Sequence, residues 1–178
     1  MTTGLTVWLT GLSGAGKSTI AAGLATRLTQ QGFSPIILDG DLLRTGLNAD
    51  LTFSEEDRNE SVRRAGEVAL LLNGLGGHVV ISSLISPLRA ARDAVRQRHA
   101  DHDVDFLEVH IAASLEVCES RDTKELYARA RRGEVTAMTG ISSPYEAPSN
   151  AEVVLSTGTQ SVEESLDALE AAVRARLR

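Results

Sequence analysis

The segment GLSGAGKS, residues 11–18, constrains the fold more than any other part of the chain. It follows an apolar run at residues 5–9, which predicts a buried strand, and precedes residues 19–30, where apolar side chains recur at helical spacing. Its three glycines remove side chains where the strand passes into the helix, so the backbone can curl there. The core is therefore expected to begin with a strand, a glycine-rich turn and a helix.

This segment matches the pattern G-x-x-x-x-G-K-[ST], which between a strand and a helix indicates a phosphate-binding loop. The curled N–H groups and the positive end of the helix both favour a bound phosphate. Lys17 can reach the β- and γ-phosphates of a nucleoside triphosphate, and the Ser18 hydroxyl can ligate Mg²⁺. A turn without a ligand is the alternative interpretation. The residues expected at the nucleotide are Gly11, Ser13, Gly14, Ala15, Gly16, Lys17, Ser18 and Thr19.

Apolar runs and helical patterns alternate along the rest of the chain. Further strands are predicted at residues 35–38, 78–84, 106–112 and 152–155, and the helical pattern at 54–75 opens with the cap-like SEED. This alternation predicts an α/β fold, a three-layer sandwich of the P-loop NTPase type with a mostly parallel five-stranded sheet flanked by helices. No repeat or linker divides the chain, so residues 1–178 are interpreted as one domain.

Residues 114–148 fit the alternation poorly. They are basic and helical at first and rich in turn residues afterwards. We expect a mobile lid over the site, at about residues 119–140, and an ordered loop. Charge-rich helices are also common as solvated faces without a function, which is the alternative.

The bulk composition limits the possible partners. A formal net charge of −6 argues against a nucleic acid or an anionic membrane surface as a partner. The single cysteine excludes an internal disulfide, no apolar run reaches the length of a membrane span, and no leader is visible at the start. A cytoplasmic protein is expected.

The second predicted strand ends in ILDGDLLRTGL, which places Asp39, Asp41 and Arg44 at the carboxyl edge of the sheet. Open α/β folds bind ligands at this edge. An aspartate there can orient or deprotonate an attacking hydroxyl, and an arginine can hold an anionic acceptor. The alternative is a solvated turn, because D-G is a common turn dipeptide.

Six segments in order resemble the adenylylsulfate kinase (APS kinase) family over nearly the whole chain. They are GLSGAGKST, LDGDLLRTGLNADLTFSEEDRNESVRRAGEV, ISSLISPLRAARDAVR, FLEVHIAASLEVCESRD, KELYARARRGEV and TGISSPYEAPSNAEVVL. The resemblance implies transfer of the γ-phosphate of MgATP to the ribose 3′-hydroxyl of adenosine 5′-phosphosulfate (APS), giving 3′-phosphoadenosine 5′-phosphosulfate and ADP. It also suggests a homodimer.

The resemblance also implies roles for individual residues. Asp41 would lie near the acceptor hydroxyl, Arg44 and Arg58 would hold the phosphosulfate, and Phe53 would stack on the acceptor base. The acceptor pocket would include Ile85 and Ser86, the latter at a position that some members phosphorylate. Arg121 would lie near the adenine of ATP, and the lid would contain Lys124, Tyr127, Arg129 and Arg131.

Several positions around the acceptor depart from the family pattern. Ser61 replaces an asparagine, and Met138 replaces a phenylalanine that would enclose the acceptor base opposite Phe53. Leu42 and Thr45 replace an amide and an imidazole. These changes leave open a related kinase with another nucleotide-like acceptor, or an ATP-binding protein without catalysis. A guanine-dependent switch is disfavoured, because no N-K-x-D motif is present.

Overall fold

A single sheet organises the molecule in the computed structural model, which describes residues 4–76, 78–122 and 124–177. Its five strands are β1 (Leu5–Thr10), β2 (Ile36–Asp39), β3 (Val79–Ser83), β4 (Asp105–Ile111) and β5 (Val153–Leu155). They lie in the order β2-β3-β1-β4-β5, and every neighbouring pair is parallel. This arrangement confirms the predicted five-stranded α/β fold.

Helices cover both faces of the sheet. Among the described residues the helices are α1 (Lys17–Gln30), α2 (Gly40–Leu43), α3 (Glu55–Gly74), α4 (Arg89–Ala100), α5 (Leu115–Arg121), α6 (Leu126–Arg131) and α7 (Val162–Arg176). The pair α1 and α7 packs on one face of the sheet, and the pair α3 and α4 packs on the other. None of these helices is long and apolar enough to cross a lipid bilayer.

The central strand β1 supplies side chains to both layers, because successive side chains of a strand point to opposite faces. Leu5, Val7 and Leu9 join the core with α1 and α7. Trp8 points the other way and packs with residues of α3 and α4. All six residues of the strand are buried, which explains why apolar side chains predominate in it on both faces.

Two helix starts follow directly from local sequence. Ser54 caps α3 by accepting a hydrogen bond from the Asp57 N–H, and three acidic residues fill the first turn. At α7, Ser161 and Glu164 form a reciprocal capping box. The cap-like SEED segment therefore begins the helix that was predicted from it.

The predicted lid, residues 119–140, contains the end of α5, the short helix α6 and the turn that follows. Thr123, within this range, lies outside the described residues. Tyr127 and Met138 are only 3% and 6% exposed and belong to the main hydrophobic cluster. The lid is therefore held by two buried side chains and is not a detached surface loop in this structure.

Candidate active site

The phosphate loop joins β1 to α1 as predicted. Gly14 and Gly16 have φ angles of 75° and 105°, which residues with a side chain rarely adopt. The Lys17 ammonium lies over the loop and donates hydrogen bonds to the carbonyls of Gly11 and Leu12, at 2.9 and 2.8 Å. Burial lowers the pKa of Lys17 to about 8, so the loop holds a cation that its surroundings have partly desolvated.

Ser18, at the amino end of α1, meets Asp39, the last residue of β2. The Ser18 hydroxyl donates to Asp39 Oδ2 at 2.9 Å, and the Ser83 hydroxyl oxygen lies 3.5 Å from the Ser18 hydroxyl oxygen. The other Asp39 oxygen caps α2 by accepting from the backbone N–H groups of Asp41 and Leu42. Asp39, which the sequence placed with the acceptor, thus connects the phosphate loop to the segment that carries Asp41.

Asp41 lies on α2 with 72% of its side chain exposed, and the Lys124 ammonium of the lid contacts its carboxylate. The contact joins the lid to the segment after β2, so a predicted substrate group and a predicted lid cation are brought together. The carboxylate is thus accessible at the sheet edge where the phosphate loop lies.

Phe53 forms an exposed platform with two arginines. The Arg44 guanidinium carbon lies 4.1 Å from the ring centroid, and that of Arg58 lies 6.0 Å away. Arg58 also binds the Ala137 carbonyl and the Thr139 hydroxyl, which ties the platform to the lid. Partial burial lowers the pKa of both guanidinium groups, although arginine remains charged. Cationic and aromatic groups are suited to an anionic nucleotide.

The loop at Ile85 and Ser86 contacts neighbouring segments through its backbone carbonyls and through the Ser86 hydroxyl. Ser86 is 2% exposed; its hydroxyl accepts from Trp8 Nε1 at 3.1 Å and lies 3.4 Å from the Leu84 carbonyl. The resemblance placed Ser86 in the acceptor pocket, but in this conformation its hydroxyl lies in the core and is closed off from solvent. The Ile85 carbonyl accepts from the Thr10 hydroxyl at 2.7 Å, next to the phosphate loop.

Two predicted acceptor residues are buried. Ser61 is 8% exposed and accepts a hydrogen bond from the Asn48 amide at 2.9 Å. Met138 is 6% exposed among apolar side chains, and its carbonyl accepts from backbone N–H groups of the following turn. In this structure both side chains lie in the interior of the protein, so Met138 does not form an exposed surface opposite Phe53.

The lid arginines pair with nearby acids. Arg131 bonds Glu119 at 2.5 Å, and Arg129 lies 3.5 Å from Glu134. These pairs match the solvated-face alternative for the two arginines. Lys124 is the lid cation that the structure places at Asp41.

Arg121, Tyr127 and Thr157 support the phosphate loop from outside; the sequence placed Tyr127 only in the lid and did not indicate Thr157. The Arg121 guanidinium reaches the Gly14 and Ala15 carbonyls at 3.4 Å, and the Thr157 hydroxyl donates to the Ala15 carbonyl at 2.7 Å. The Tyr127 hydroxyl donates to the Ser13 carbonyl at 2.8 Å. Their partners are backbone carbonyls far away in the chain, so no local pattern could identify Tyr127 or Thr157 as loop supports.

Fold and site together define a P-loop kinase-like α/β protein: a phosphate loop and an acceptor-type aspartate share one edge of a parallel sheet. A protein-family model described as "Adenylylsulphate kinase" matches residues 3–156. The chain belongs to the adenylylsulfate kinase family.

Relatives of known name agree. The adenylyl-sulfate kinase of Paraburkholderia xenovorans is 51% identical over 166 residues, covering 93% of this chain and 90% of that protein. That of a Picosynechococcus strain is 52% identical over 164 residues, covering 92% and 90%.

Solved structures show the same relationship. The Mycobacterium tuberculosis APS kinase CysC in complex with AMPPNP and APS matches with a TM-score of 0.94 and 46% identity, covering 98% of this chain and 99% of that one. A gluconokinase from Sinorhizobium meliloti matches with a TM-score of 0.62 and 16% identity over 99% and 95% of the two chains, and it shares the fold alone.

Proposed function

We propose that the protein is an ATP-dependent adenylyl-sulfate kinase. It transfers the γ-phosphoryl group of ATP to the ribose 3′-hydroxyl of APS, giving 3′-phosphoadenosine 5′-phosphosulfate and ADP. The observation that carries the proposal is the link from Ser18 of the phosphate loop through Asp39 to the backbone N–H of Asp41, two contacts of 2.9 Å each. It sets the donor and acceptor sides next to each other in a member of the adenylylsulfate kinase family.

Lys17 acts on the donor side. Its ammonium moves from the Gly11 and Leu12 carbonyls to the phosphate oxygens, where it neutralises charge that develops as the bond to the leaving ADP oxygen breaks. The glycine-rich loop and the first turn of α1 supply further N–H donors.

Mg²⁺ is the expected companion of the nucleotide. The residues fit it: Ser18, Asp39 and Ser83 offer hydroxyl and carboxylate oxygens, with the first two 2.9 Å apart. Mg²⁺ is usually held by one or two such groups together with substrate phosphates. When bound, the ion would neutralise phosphate charge.

Asp41 acts on the acceptor side. Its carboxylate accepts a hydrogen bond from the 3′-hydroxyl, orients the oxygen for attack on the γ-phosphorus and receives its proton. Arg44 and Arg58 hold the phosphosulfate, and Phe53 stacks on the adenine. Lys124 must leave Asp41, or share it with the hydroxyl, when APS enters.

A cytoplasmic homodimer, with the lid closing over both substrates, completes the proposal. The family resemblance and the single cysteine, which cannot form an internal disulfide, support this part. Sedimentation velocity at several protein concentrations measures the assembly, and a monomer at all of them contradicts the dimer.

A coupled ADP-release assay tests the function. The protein is incubated with MgATP and APS, with another nucleoside 5′-phosphate, or with no acceptor. We expect ADP release that depends on APS, with 3′-phosphoadenosine 5′-phosphosulfate detected by mass spectrometry. Turnover with the other nucleotide alone would favour the related-kinase alternative, and acceptor-independent release alone would refute the kinase proposal.

A further inference from the structure

The loop at residues 85–87, here named the acceptor loop, has an uncommon backbone conformation. Ser86 has φ of 40°, in the left-handed region that residues with a side chain rarely adopt. Such a conformation persists only where surrounding contacts determine it. The contacts that hold this loop therefore decide the direction in which its backbone points.

One side of the acceptor loop is held from β1. The Thr10 hydroxyl donates to the Ile85 carbonyl at 2.7 Å and lies 3.1 Å from the Tyr145 hydroxyl. Because Thr10 precedes Gly11, this support is continuous with the phosphate loop.

The other side is held by Arg92 of α4, whose side chain is 1% exposed. Its guanidinium donates to the Ser86 carbonyl at 2.6 Å, to the Glu146 carbonyl at 2.6 Å and to Glu108 Oε1 at 2.8 Å. The planar fork thus joins three separate parts of the chain, and a lysine ammonium cannot reproduce this planar geometry.

Residues 144–147, here named the clasp, complete the arrangement. The Glu146 N–H donates to the Pro87 carbonyl at 2.8 Å, and the Glu146 carboxylate accepts from the Arg89 N–H at 2.8 Å. The clasp follows the turn after Met138, so it also connects the acceptor loop to the end of the lid.

We infer that Arg92 is a positioning residue for the acceptor. It locks the acceptor loop to the clasp and so sets the affinity for the anionic nucleotide that receives the phosphoryl group. Its side-chain hydrogen bonds in the described structure end on Ser86, Glu146 and Glu108, and none is made to the phosphate loop itself, so we expect a much smaller effect on ATP binding than on APS binding. The inference rests on the proposed function, because it assigns the acceptor loop to APS.

The test compares two arginines on α4. Arg92→Lys keeps a cation beside Glu108 but loses the fork. Arg96→Lys is the matched control, because Arg96 also bonds Glu108, at 3.1 Å, but its side-chain hydrogen bonds in the described residues go to Glu108 and Glu152 and not to the acceptor loop or the clasp. We expect Arg92→Lys to raise the KM for APS by about tenfold or more, since small misplacements at a site are costly. The Kd of ATP should stay within about twofold of wild type in both variants.

Hydrogen–deuterium exchange provides a readout that does not depend on the acceptor. Peptides covering residues 84–88 and 144–148 should exchange faster in Arg92→Lys but not in Arg96→Lys. If Arg92→Lys does not fold, Glu146→Ala takes its place. This variant removes an exposed carboxylate of the clasp, and it should likewise raise the KM for APS.

Two results would overturn the inference: unchanged exchange and unchanged APS kinetics in Arg92→Lys, or equal losses of APS and ATP affinity, which indicate a general structural role. A wild-type protein that is inactive with APS contradicts the proposed function instead. The exchange comparison then still decides whether Arg92 holds the loop.

Discussion

The site needs the positive charge of Lys17 to bind phosphate, but burial in the same site disfavours that charge. Burial lowers the pKa of Lys17 to about 8, with the nearby Asp41 and Asp39 opposing the shift. A bound triphosphate attracts the ammonium and raises the pKa again. Above about pH 8, ATP binding must therefore take up a proton that the free protein has lost.

The Kd of ATP should accordingly rise with pH above about 8, approaching about tenfold per pH unit for one linked proton. Below that pH the Kd of ATP should not depend on the protonation of Lys17, because Lys17 is already protonated in the unliganded protein. Isothermal titration calorimetry in buffers of different ionisation enthalpy measures both the affinity and the proton uptake. Lys17→Met is the control and should bind ATP weakly without this pH dependence. A wild-type Kd that is constant from pH 7 to about 9.5 would contradict the role of Lys17.

Phe53 and Met138 should respond differently to truncation, because one is exposed by 58% and the other by 6%. Phe53→Ala should raise the KM for APS, since base stacking on an aromatic is worth about 1–3 kcal/mol, and should change the free energy of unfolding by less than about 0.5 kcal/mol. Met138→Ala should lower the free energy of unfolding by about 2–5 kcal/mol. Urea denaturation and steady-state kinetics measure the two effects, and a stability loss in Phe53→Ala as large as that in Met138→Ala would contradict this assignment.

At the scale of elements, the close approach of α3 to α4 depends on Gly66. A Cβ added there would lie 2.9 Å from a methyl group of Val95, whereas a Cβ at Gly74, on the same helix, would meet nothing within 4 Å. Val95 is branched at Cβ and has little rotamer freedom to move away.

Gly66→Ala should therefore destabilise the protein, because overpacking costs about 1–3 kcal/mol and exceeds the helix-propensity gain of up to about 1 kcal/mol. Gly74→Ala, the matched control, should leave the free energy of unfolding unchanged or raise it slightly. Thermal melts followed by circular dichroism compare the two. Equal melting temperatures for both variants would show that the α3–α4 contact accommodates the added methyl group without a loss of stability.

For the whole molecule, one sheet with both faces covered should unfold as one unit. We expect a single calorimetric transition whose van't Hoff and calorimetric enthalpies agree. ATP at about 100 times its Kd should add about 2.7 kcal/mol to the free energy of unfolding and raise Tm by about 5–10 °C. Lys17→Met should lose most of this shift. Two resolved transitions would contradict the single domain, residues 1–178, that the sequence predicts.

Much of this molecule could be predicted from local patterns. The strand–loop–helix unit, the start of α3 at Ser54 and the alternation of strands with helices all depend on neighbouring residues, whose spacing follows from backbone geometry. The phosphate loop was identified for the same reason, because its glycines and Lys17 are contiguous.

The supports of the site could not be predicted in this way. Tyr127 reaches Ser13 across 114 positions of sequence, and Arg92 reaches Glu146 across 54. The burial of the Ser86 hydroxyl likewise depends on Trp8, which lies 78 positions earlier.

By itself, the sequence determined the order of the elements and the chemistry at the phosphate loop, because those properties reside in contiguous residues. Only the tertiary structure decided which side chains face the active site and which support it from the protein interior. Those choices follow from strand order and helix packing, which bring distant segments to one edge of the sheet.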